Sequence, residues 1–399
     1  LFVQGPPGTG KTYTGARVIA KLIAAGKTVG VMANSHKAIH NLMHEIEAVA
    51  GDTGLGLTGL HKHSKQNVDS PYVSCRAQAL IASADDNRAA EAGDYNLISG
   101  NAWLFAREGM VDRVDYLFID EAGQTSLADA LAVSPSAKNI VLLGDPMQLA
   151  QVSQGAHAEG AAASVLGHLL GDASTVPRDR GVLLDMSYRM HPAICDFISS
   201  AIYDGRLKAD RLTANNRVSS PGLSGSGLRY LPVEHVGSGR SSFEEAERIV
   251  REVELLLRGA VTRKAEPERR LSERDILVVT PYNAQRKKIA GMLAAAGHGE
   301  VPVGTVDKFQ GQEAPVVFYS MATSSGEDVP RNLEFLFEKN RFNVAVSRAQ
   351  CLSVLVCSPR LLDVRCSHPA QMALVNLLCR YVEQAVEAPA VPYESRLAI

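Results

Sequence analysis

The stretch "FVQGPPGTGKT" (Phe2–Thr12) runs an apolar segment directly into the spacing G-x-x-x-x-G-K-[ST], and the helical pattern "YTGARVIAKLIAAG" follows at once. Strand, glycine-rich turn and helix in that order bring backbone N–H groups to a helix N-terminus, where unpaired donors and the macrodipole favour anions. This commits the chain to an α/β fold whose first loop cradles a polyphosphate. Gly5, Pro6, Pro7, Gly8, Thr9 and Gly10 form the cradle. Lys11 is placed to neutralise the β and γ phosphates of ATP, and Thr12 to hold Mg²⁺ through its hydroxyl.

A chain of 399 residues, 46% of them hydrophobic, can bury a large core and has the length of two or more domains. Lys and Arg total 41 against 43 acids, a net charge of −2, so a track for a polyanion has to be local. Cys75, Cys195, Cys351, Cys357, Cys366 and Cys379 contain no C-x-x-C pair. Four of them crowd between 351 and 379, which raises an iron–sulfur reading, but Cys351 and Cys357 flank the apolar "LSVLV" as strand thiols do. No apolar run approaches the roughly 18 residues of a membrane span, and a phosphate loop stands where a signal segment would. The expectation is a soluble, cytoplasmic protein. Only four residues precede Gly5, too few for a secure buried strand, so further chain is expected upstream.

Apolar β-rich runs without alternation recur at 1–4, 28–33, 95–99, 116–120 and 139–145, separated by helical stretches, the pattern of a parallel sheet covered on both faces. The polar, Gly-rich segment at 50–74 is hard to place in a sheet, and an insertion is expected around 50–94. A second series follows at 181–192, 228–233, 276–281, 301–306, 314–320 and 352–358. Between them "SSFEEAERIVREVELLL" reads as a helix opened by a Ser242/Glu245 capping box, with Ile249, Val250, Val253, Leu256 and Leu257 as its apolar stripe. Residues 259–273 read as a solvated charged loop. The expected division is 1–178, 179–366, and a C-terminal helix and tail at 367–399.

A nucleotide engine needs a carboxylate at the end of a neighbouring strand, and "YLFIDEAGQ" supplies two. Asp120 suits Mg²⁺, and Glu121 can orient or deprotonate the attacking water. Gln148 of "LLGDPMQL" bonds in both directions and can sense the γ-phosphate. The positive charge that phosphoryl transfer still lacks is offered by Arg189 of "SYRMHP" and Arg348 of "NRFNVAVSRAQ", with Arg341 reading as structural.

With "GPPGTGKT", "IDEAGQ", "GDPMQL", "SYRMHP", "VGTVDKFQGQE" and "NRFNVAVSRAQ" in this order, the chain resembles a superfamily 1 helicase of the Upf1/Dna2-like group over nearly its whole length. The wording "ANSHKAIHNL" and "GDPMQLAQVSQGAH" also resembles the helicase half of bacterial RecB-like nuclease–helicase fusions. The resemblance implies two tandem RecA-like domains with ATP between them. It implies Tyr188 stacked on the base, Arg189 and Arg348 as arginine fingers, Glu313 on the ribose and Gln285 close to the nucleotide. It implies a grip on single-stranded nucleic acid by Ser35, His36, Thr305, Asp307 and Lys308, of a kind that holds backbone without reading bases. The family's 5′→3′ polarity, a monomeric motor unit and work in DNA repair are implied likewise, and the nuclease-fused resemblance points to DNA over RNA. The family's glutamine motif and stalk-like subdomain would lie upstream of residue 1.

Two other readings stay open on the residues alone: an ATP-hydrolysing clamp or switch without processive travel, and a non-catalytic nucleic-acid-binding module. The joint presence of Lys11, Asp120, Glu121, Gln148, Arg189 and Arg348 argues against the last. His36 reads equally as an ordinary surface histidine, and Trp103 in "NAWLF" reads as core packing.

Overall fold

In a computed structural model of the chain, residues 1–149, 163–171, 173–309, 311–330 and 332–388 are described. Residues 150–157, "AQVSQGAH", lie outside them. The chain divides into two compact units, Leu1–Asp185 and Met186–Ile399.

The strands of unit 1 are β1 (Phe2–Gln4), β2 (Val29–Met32), β3 (Gly59–Lys62), β4 (Ile81–Ala84), β5 (Leu97–Gly100), β6 (Val114–Ile119), β7 (Ala137–Gly144) and β8 (Gly181–Leu183). They form one sheet in the order β4-β3-β5-β2-β6-β7-β1-β8, and every pairing is parallel. Its helices are α1 (Lys11–Ala24), α2 (His36–Thr53), α3 (Asn87–Ala92), α4 (Ala102–Phe105), α5 (Leu127–Val133) and α6 (Val165–Leu170). Ala16, Ile19 and Ile23 of α1 share a core with Ile39, Leu42, Met43 and Ile46 of α2. Gly15 lets α1 lie directly on the sheet, since a Cβ there would come within 2.9 Å of Leu143 Cδ1. On the other sheet face, Phe105, Leu117, Val133 and Leu166 fill a second core.

The polar stretch around 50–94 is therefore no simple insertion. It contributes β3 and β4 to the sheet, held by parallel pairing at the edge where one strand has few apolar residues to show. Likewise β8, expected in the second unit, pairs with β1 from Phe2↔Gly181 to Gln4↔Leu183, so the unit boundary falls after Asp185 rather than after 178.

Unit 2 contains β9 (Met186–Ser187), β10 (Lys208–Ala209), β11 (Arg217–Ser219), β12 (Gly227–Pro232), β13 (Ala260–Thr262), β14 (Arg269–Arg270) and β15 (Ile276–Thr280). β16 (Val303–Thr305), β17 (Ala314–Ser320), β18 (Ala349–Cys357) and β19 (Val386–Glu387) complete the strands. The main sheet runs β16-β15-β17-β18-β12-β19, again all parallel. Its helices are α7 (Pro192–Ile202), α8 (Phe243–Leu256), α9 (Asn283–Ala295), α10 (Leu333–Leu336), α11 (Lys339–Val346) and α12 (Pro369–Gln384). Every residue of β15, β17 and β18 is buried, which is why these strands read as unbroken apolar runs. Each unit is a RecA-like α/β domain.

The stripe of α8 packs as expected, with Ile249, Val253 and Leu256 buried and Val250 and Leu257 against the same core. Its capping box is only half formed. Ser242 Oγ accepts from Glu245 N at 3.1 Å, but the Glu245 carboxylate turns inward. It takes His235 Nε2 at 3.0 Å, Ser320 Oγ at 2.6 Å and Ala322 N at 2.9 Å, while Ser242 N donates to Gln285 Oε1 at 2.9 Å. The charged segment 259–273 is a hairpin, β13 pairing antiparallel with β11 and β14, with Arg269 bound to both oxygens of Asp275 at 2.7 and 2.6 Å. Cys351 and Cys357 are buried in β18. Burial pushes the Cys351 thiol up to about 12 and that of Cys357 well above its ordinary value, as for inert core thiols. Trp103 departs from its expected place in the core and is 84% exposed, because Leu104 and Phe105 supply the buried face of α4.

Candidate nucleotide and nucleic-acid site

The phosphate loop leaves the sheet at Gly5, whose N–H donates to the Gly144 carbonyl at 2.9 Å. Gly8 and Gly10 sit at φ 76° and 73°, where a Cβ is disfavoured. Thr9 closes the turn on the Pro6 carbonyl through Oγ1 at 2.8 Å and N at 3.3 Å. α1 then begins with no side-chain cap and no acid in its first turn. Its orphan N–H groups therefore face the loop unneutralised, which fits a phosphate group there.

Two strand ends, those of β6 and β7, bring three acids to this loop. Lys11 Nζ lies 3.3 Å from Glu121 Oε1. Burial opposes the charge of Lys11, but the carboxylates of Glu121, Asp120 and Asp145 outweigh it and hold its pKa above the usual value. Asp120, 3% exposed, accepts from Glu121 N at 2.8 Å. Its own burial pushes it up to about 6 against the pull of Lys11, with the charge of Glu121 adding to the rise. Glu121 stands at φ 51°, a left-handed backbone that costs a non-glycine residue about 1–3 kcal/mol and recurs where function fixes a side chain. Thr12 follows Lys11 in the first turn of α1, so a hydroxyl and the Asp120 carboxylate suit a hard cation such as Mg²⁺.

Gln148 Nε2 donates to Asp145 Oδ2 at 3.1 Å. The other oxygen of Asp145 accepts from Met147 N at 3.2 Å and Gln4 Nε2 at 3.4 Å. Asp145 thus ties Gln148 to β1 just ahead of the loop. Asp145 and Gln4 escaped the sequence reading. The signal for Asp145 was present, since it stands just after a strand end as Asp120 does.

Ser35 caps α2, its Oγ accepting from Ala38 N at 3.2 Å, and His36 is the first residue of that helix. Asn34 Nδ2 donates to the Gln124 carbonyl at 2.6 Å, which links this end of α2 to the segment following Glu121.

In unit 2, Tyr188 is half-exposed beside Arg189. Arg189 pairs through Nε with Glu313 and donates through Nη1 to the Ser347 carbonyl at 3.2 Å. Gln350 Nε2 holds the second Glu313 oxygen at 2.7 Å. Burial works to raise the Glu313 carboxyl, but the Arg189 charge and these bonds hold it below its usual value. Arg348 is buried and donates to the Gln312 carbonyl at 2.8 Å. Thr305 ends β16, and Asp307 and Lys308 are exposed in the turn beyond. Asp307 pairs with Arg341 at 3.2 Å, and Arg341 also holds Glu338 at 2.7 Å, a structural pattern. Gln285 sits apart from these groups. It is fully buried, and its amide joins Ser242 N to Ser320 Oγ (3.0 Å), so it braces α8, α9 and β17 instead of facing a ligand.

A sequence profile described as AAA domain matches residues 1–219, and a second with the same description matches 163–360. Over 408 residues the chain is 27% identical to the regulator of nonsense transcripts 1 homolog of Drosophila melanogaster, covering 90% of this chain and 33% of that protein. It is 26% identical over 376 residues to the DNA replication ATP-dependent helicase/nuclease DNA2 of Gallus gallus, at 90% and 35% coverage. It is 27% identical over 412 residues to the putative helicase mov-10-B.1 of Danio rerio, at 90% and 40%. The chain belongs to the Upf1/Dna2-like superfamily 1 helicases.

As a member of that family it spans between a third and two fifths of the length of these relatives. Among its described residues no helix is long and apolar enough to cross a membrane. Within unit 1 of this helicase chain the fold gathers Lys11, Asp120, Glu121 and Gln148 around the phosphate loop. Within unit 2 it gathers Arg189 and Glu313, with Ser347 and Gln350 as their supports.

Proposed function

We propose that the chain is the motor of an ATP-dependent helicase that translocates 5′→3′ on single-stranded nucleic acid, DNA in preference to RNA, as a monomer in the cytoplasm. The observation that carries the reading is the constellation at the phosphate loop. An uncapped helix N-terminus stands over a lysine that is countered by two carboxylates, one buried and one strained. A binding module has no use for a strained acid beside its lysine, whereas hydrolysis requires a group there to orient water.

In this proposal the N–H groups of 8–12 and Lys11 bind the β and γ phosphates, and entry of the nucleotide displaces the Lys11–Glu121 ion pair. Glu121, released from Lys11, orients the attacking water and accepts its proton. Thr12 and Asp120 hold Mg²⁺, which when bound offsets phosphate charge. Gln148, positioned by Asp145, senses whether the γ-phosphate is present. Arg189 and Arg348 supply the positive charge of the transition state, with Glu313 aligning Arg189 until it meets the ribose. Tyr188 offers an exposed ring for the base, and Gln285 keeps α8 and α9 in register behind it. Ser35, His36, Thr305, Asp307 and Lys308 hold the strand through hydroxyls, backbone amides and one or two cations, without base readout.

The test is ATP hydrolysis by the full-length protein with no nucleic acid, with single-stranded DNA and with single-stranded RNA, followed by unwinding of duplexes bearing a 5′ or a 3′ tail. Stimulation by DNA and opening of 5′-tailed duplexes are the expected results. Stimulation without unwinding would select a clamp or switch, and no stimulation by either strand would remove the motor reading.

A further inference from the structure

Five of the chain's 11 histidines fall on α2 (His36, His40, His44) or in and just after β3 (His61, His63). His36, His40 and His44 recur every fourth residue, so α2 presents one imidazole per turn along a single face. β3 lies against that face and brings the fully buried His61 to it. None of this is used in the ATP chemistry above.

We propose that His36, His40 and His61, with the backbone carbonyl of Ser70, form a binding site for one divalent transition-metal ion of the Zn²⁺ class. One ligand nitrogen from each ring lies within 4.8 Å of the others. His40 Nε2 and His61 Nε2 both approach the same Ser70 oxygen, at 3.2 and 3.0 Å. Ligands bonded at about 2.0–2.1 Å to a tetrahedral ion stand roughly 3.4 Å from one another, so both contacts to the Ser70 oxygen are close to the spacing of a coordination shell. His36 Nδ1 is buried and has no hydrogen-bond partner, an orphan whose desolvation a metal bond would offset.

The other ring nitrogen of His61 is also provided for. Nε2 lies 3.0 Å from the Ser70 oxygen and Nδ1 lies 2.9 Å from Ser99 Oγ. A metal on Nε2 would put the ring proton on Nδ1, where the Ser99 hydroxyl oxygen can accept it. Ser99 would then be the outer-shell group that fixes ring and tautomer. The Ser70 loop is itself anchored to α2. Glu47 accepts from Tyr72 Oη and Ser74 Oγ at 2.7 Å each, Leu80 N at 2.9 Å and Ile81 N at 3.1 Å. Burial holds His36 and His40 below their usual pKa and His61 down at about 3, so all three imidazoles are neutral in neutral solution, as ligands must be. Three imidazoles and one carbonyl, with no carboxylate in the set, select Zn²⁺ and its neighbours over Mg²⁺ or Ca²⁺.

The experiment uses the untagged full-length protein, stripped with a chelator and titrated with Zn²⁺ and, separately, with Co²⁺ as a spectroscopic probe. The expected result is one ion retained per chain after gel filtration, with Co²⁺ giving the intense visible absorption of a tetrahedral site. His40→Gln should weaken the affinity by more than about 100-fold, and Ser99→Ala by about 10–100-fold, with nucleotide binding at the Lys11 loop unchanged in both. No ion retained by the wild type, an octahedral Co²⁺ spectrum, or equal affinity in wild type and folded His40→Gln would each overturn the site. Should His40→Gln fail to fold, the wild-type stoichiometry and spectrum with the Ser99→Ala affinity decide it.

Discussion

In unit 1 the candidate charges oppose one another across a single loop, Lys11 against Glu121 with Asp120 and Asp145 close enough to shift it. In unit 2 backbone carbonyls share in holding the candidate charges. Arg189 is held by Glu313 and a backbone carbonyl, and Arg348 by another carbonyl. The first arrangement is a set of mutual ion pairs that a polyphosphate would have to rearrange. The second adds backbone carbonyls to its one ion pair, so the chain itself helps to orient each guanidinium group.

The largest effect expected from this contrast follows Arg189→Ala or Arg348→Ala. Loss of a transition-state arginine should lower ATP turnover by about 10³–10⁵, with nucleotide binding nearly intact, as read by single-turnover hydrolysis beside equilibrium binding. A loss below tenfold in turnover would make these arginines mere braces of unit 2. Glu121→Gln should come next, about 10²–10⁴ in turnover with ATP still bound. Near-normal hydrolysis by that variant would mean that the strained backbone at Glu121 serves packing and not water.

A smaller effect separates the units by pH. The Asp120 pKa is raised to about 6 by burial, so its proton is held more tightly in the folded chain than in the unfolded one. Its ionisation therefore costs stability as pH rises through about 6, while Mg²⁺ binding, which needs the carboxylate, gains over the same range. Mg²⁺-dependent nucleotide affinity should fall about tenfold per pH unit below 6, and Asp120→Asn should abolish the dependence. An Mg²⁺ affinity flat from pH 5 to pH 7 would argue against Asp120 as the metal ligand.

What was legible in the sequence follows the same division. The phosphate loop, Asp120 and Glu121 are local signals, each set by a strand end and a few neighbouring residues, and the fold brings them together. The core strands were legible because parallel burial on both faces leaves unbroken apolar runs, as in β17 and β18. Edge elements were not. β3 and β4 carry "GLHK" and "IASA", whose place in the sheet comes from neighbours and not from their own pattern. Gln285 was placed near the nucleotide by family resemblance, and no local signal reveals that both ends of its amide are used by distant segments. The histidine face of α2 was written in the spacing of His36, His40 and His44, but only the pairing of β3 with β5 and the Glu47-anchored loop close it.

The last contrast lies in two serine caps. Ser35 of unit 1 and Ser242 of unit 2 each accept from the backbone three residues on, at 3.2 and 3.1 Å. Ser242 is fully buried and its N–H is held by Gln285, whereas Ser35 is exposed at the start of α2. Replacing either by Ala should cost a cap, about 0.5–2 kcal/mol, with Ser242→Ala at the upper end because water cannot take over the freed N–H of Glu245. Ser35→Ala should lie at the lower end in denaturant titrations and show its main effect elsewhere, as a few-fold loss of affinity for single strands. That loss should leave the salt dependence of binding unchanged, since a hydroxyl contact to phosphate releases no counterion. A changed salt slope for Ser35→Ala would assign the strand contact to a shift of neighbouring cations, and an unchanged affinity would make Ser35 a cap alone.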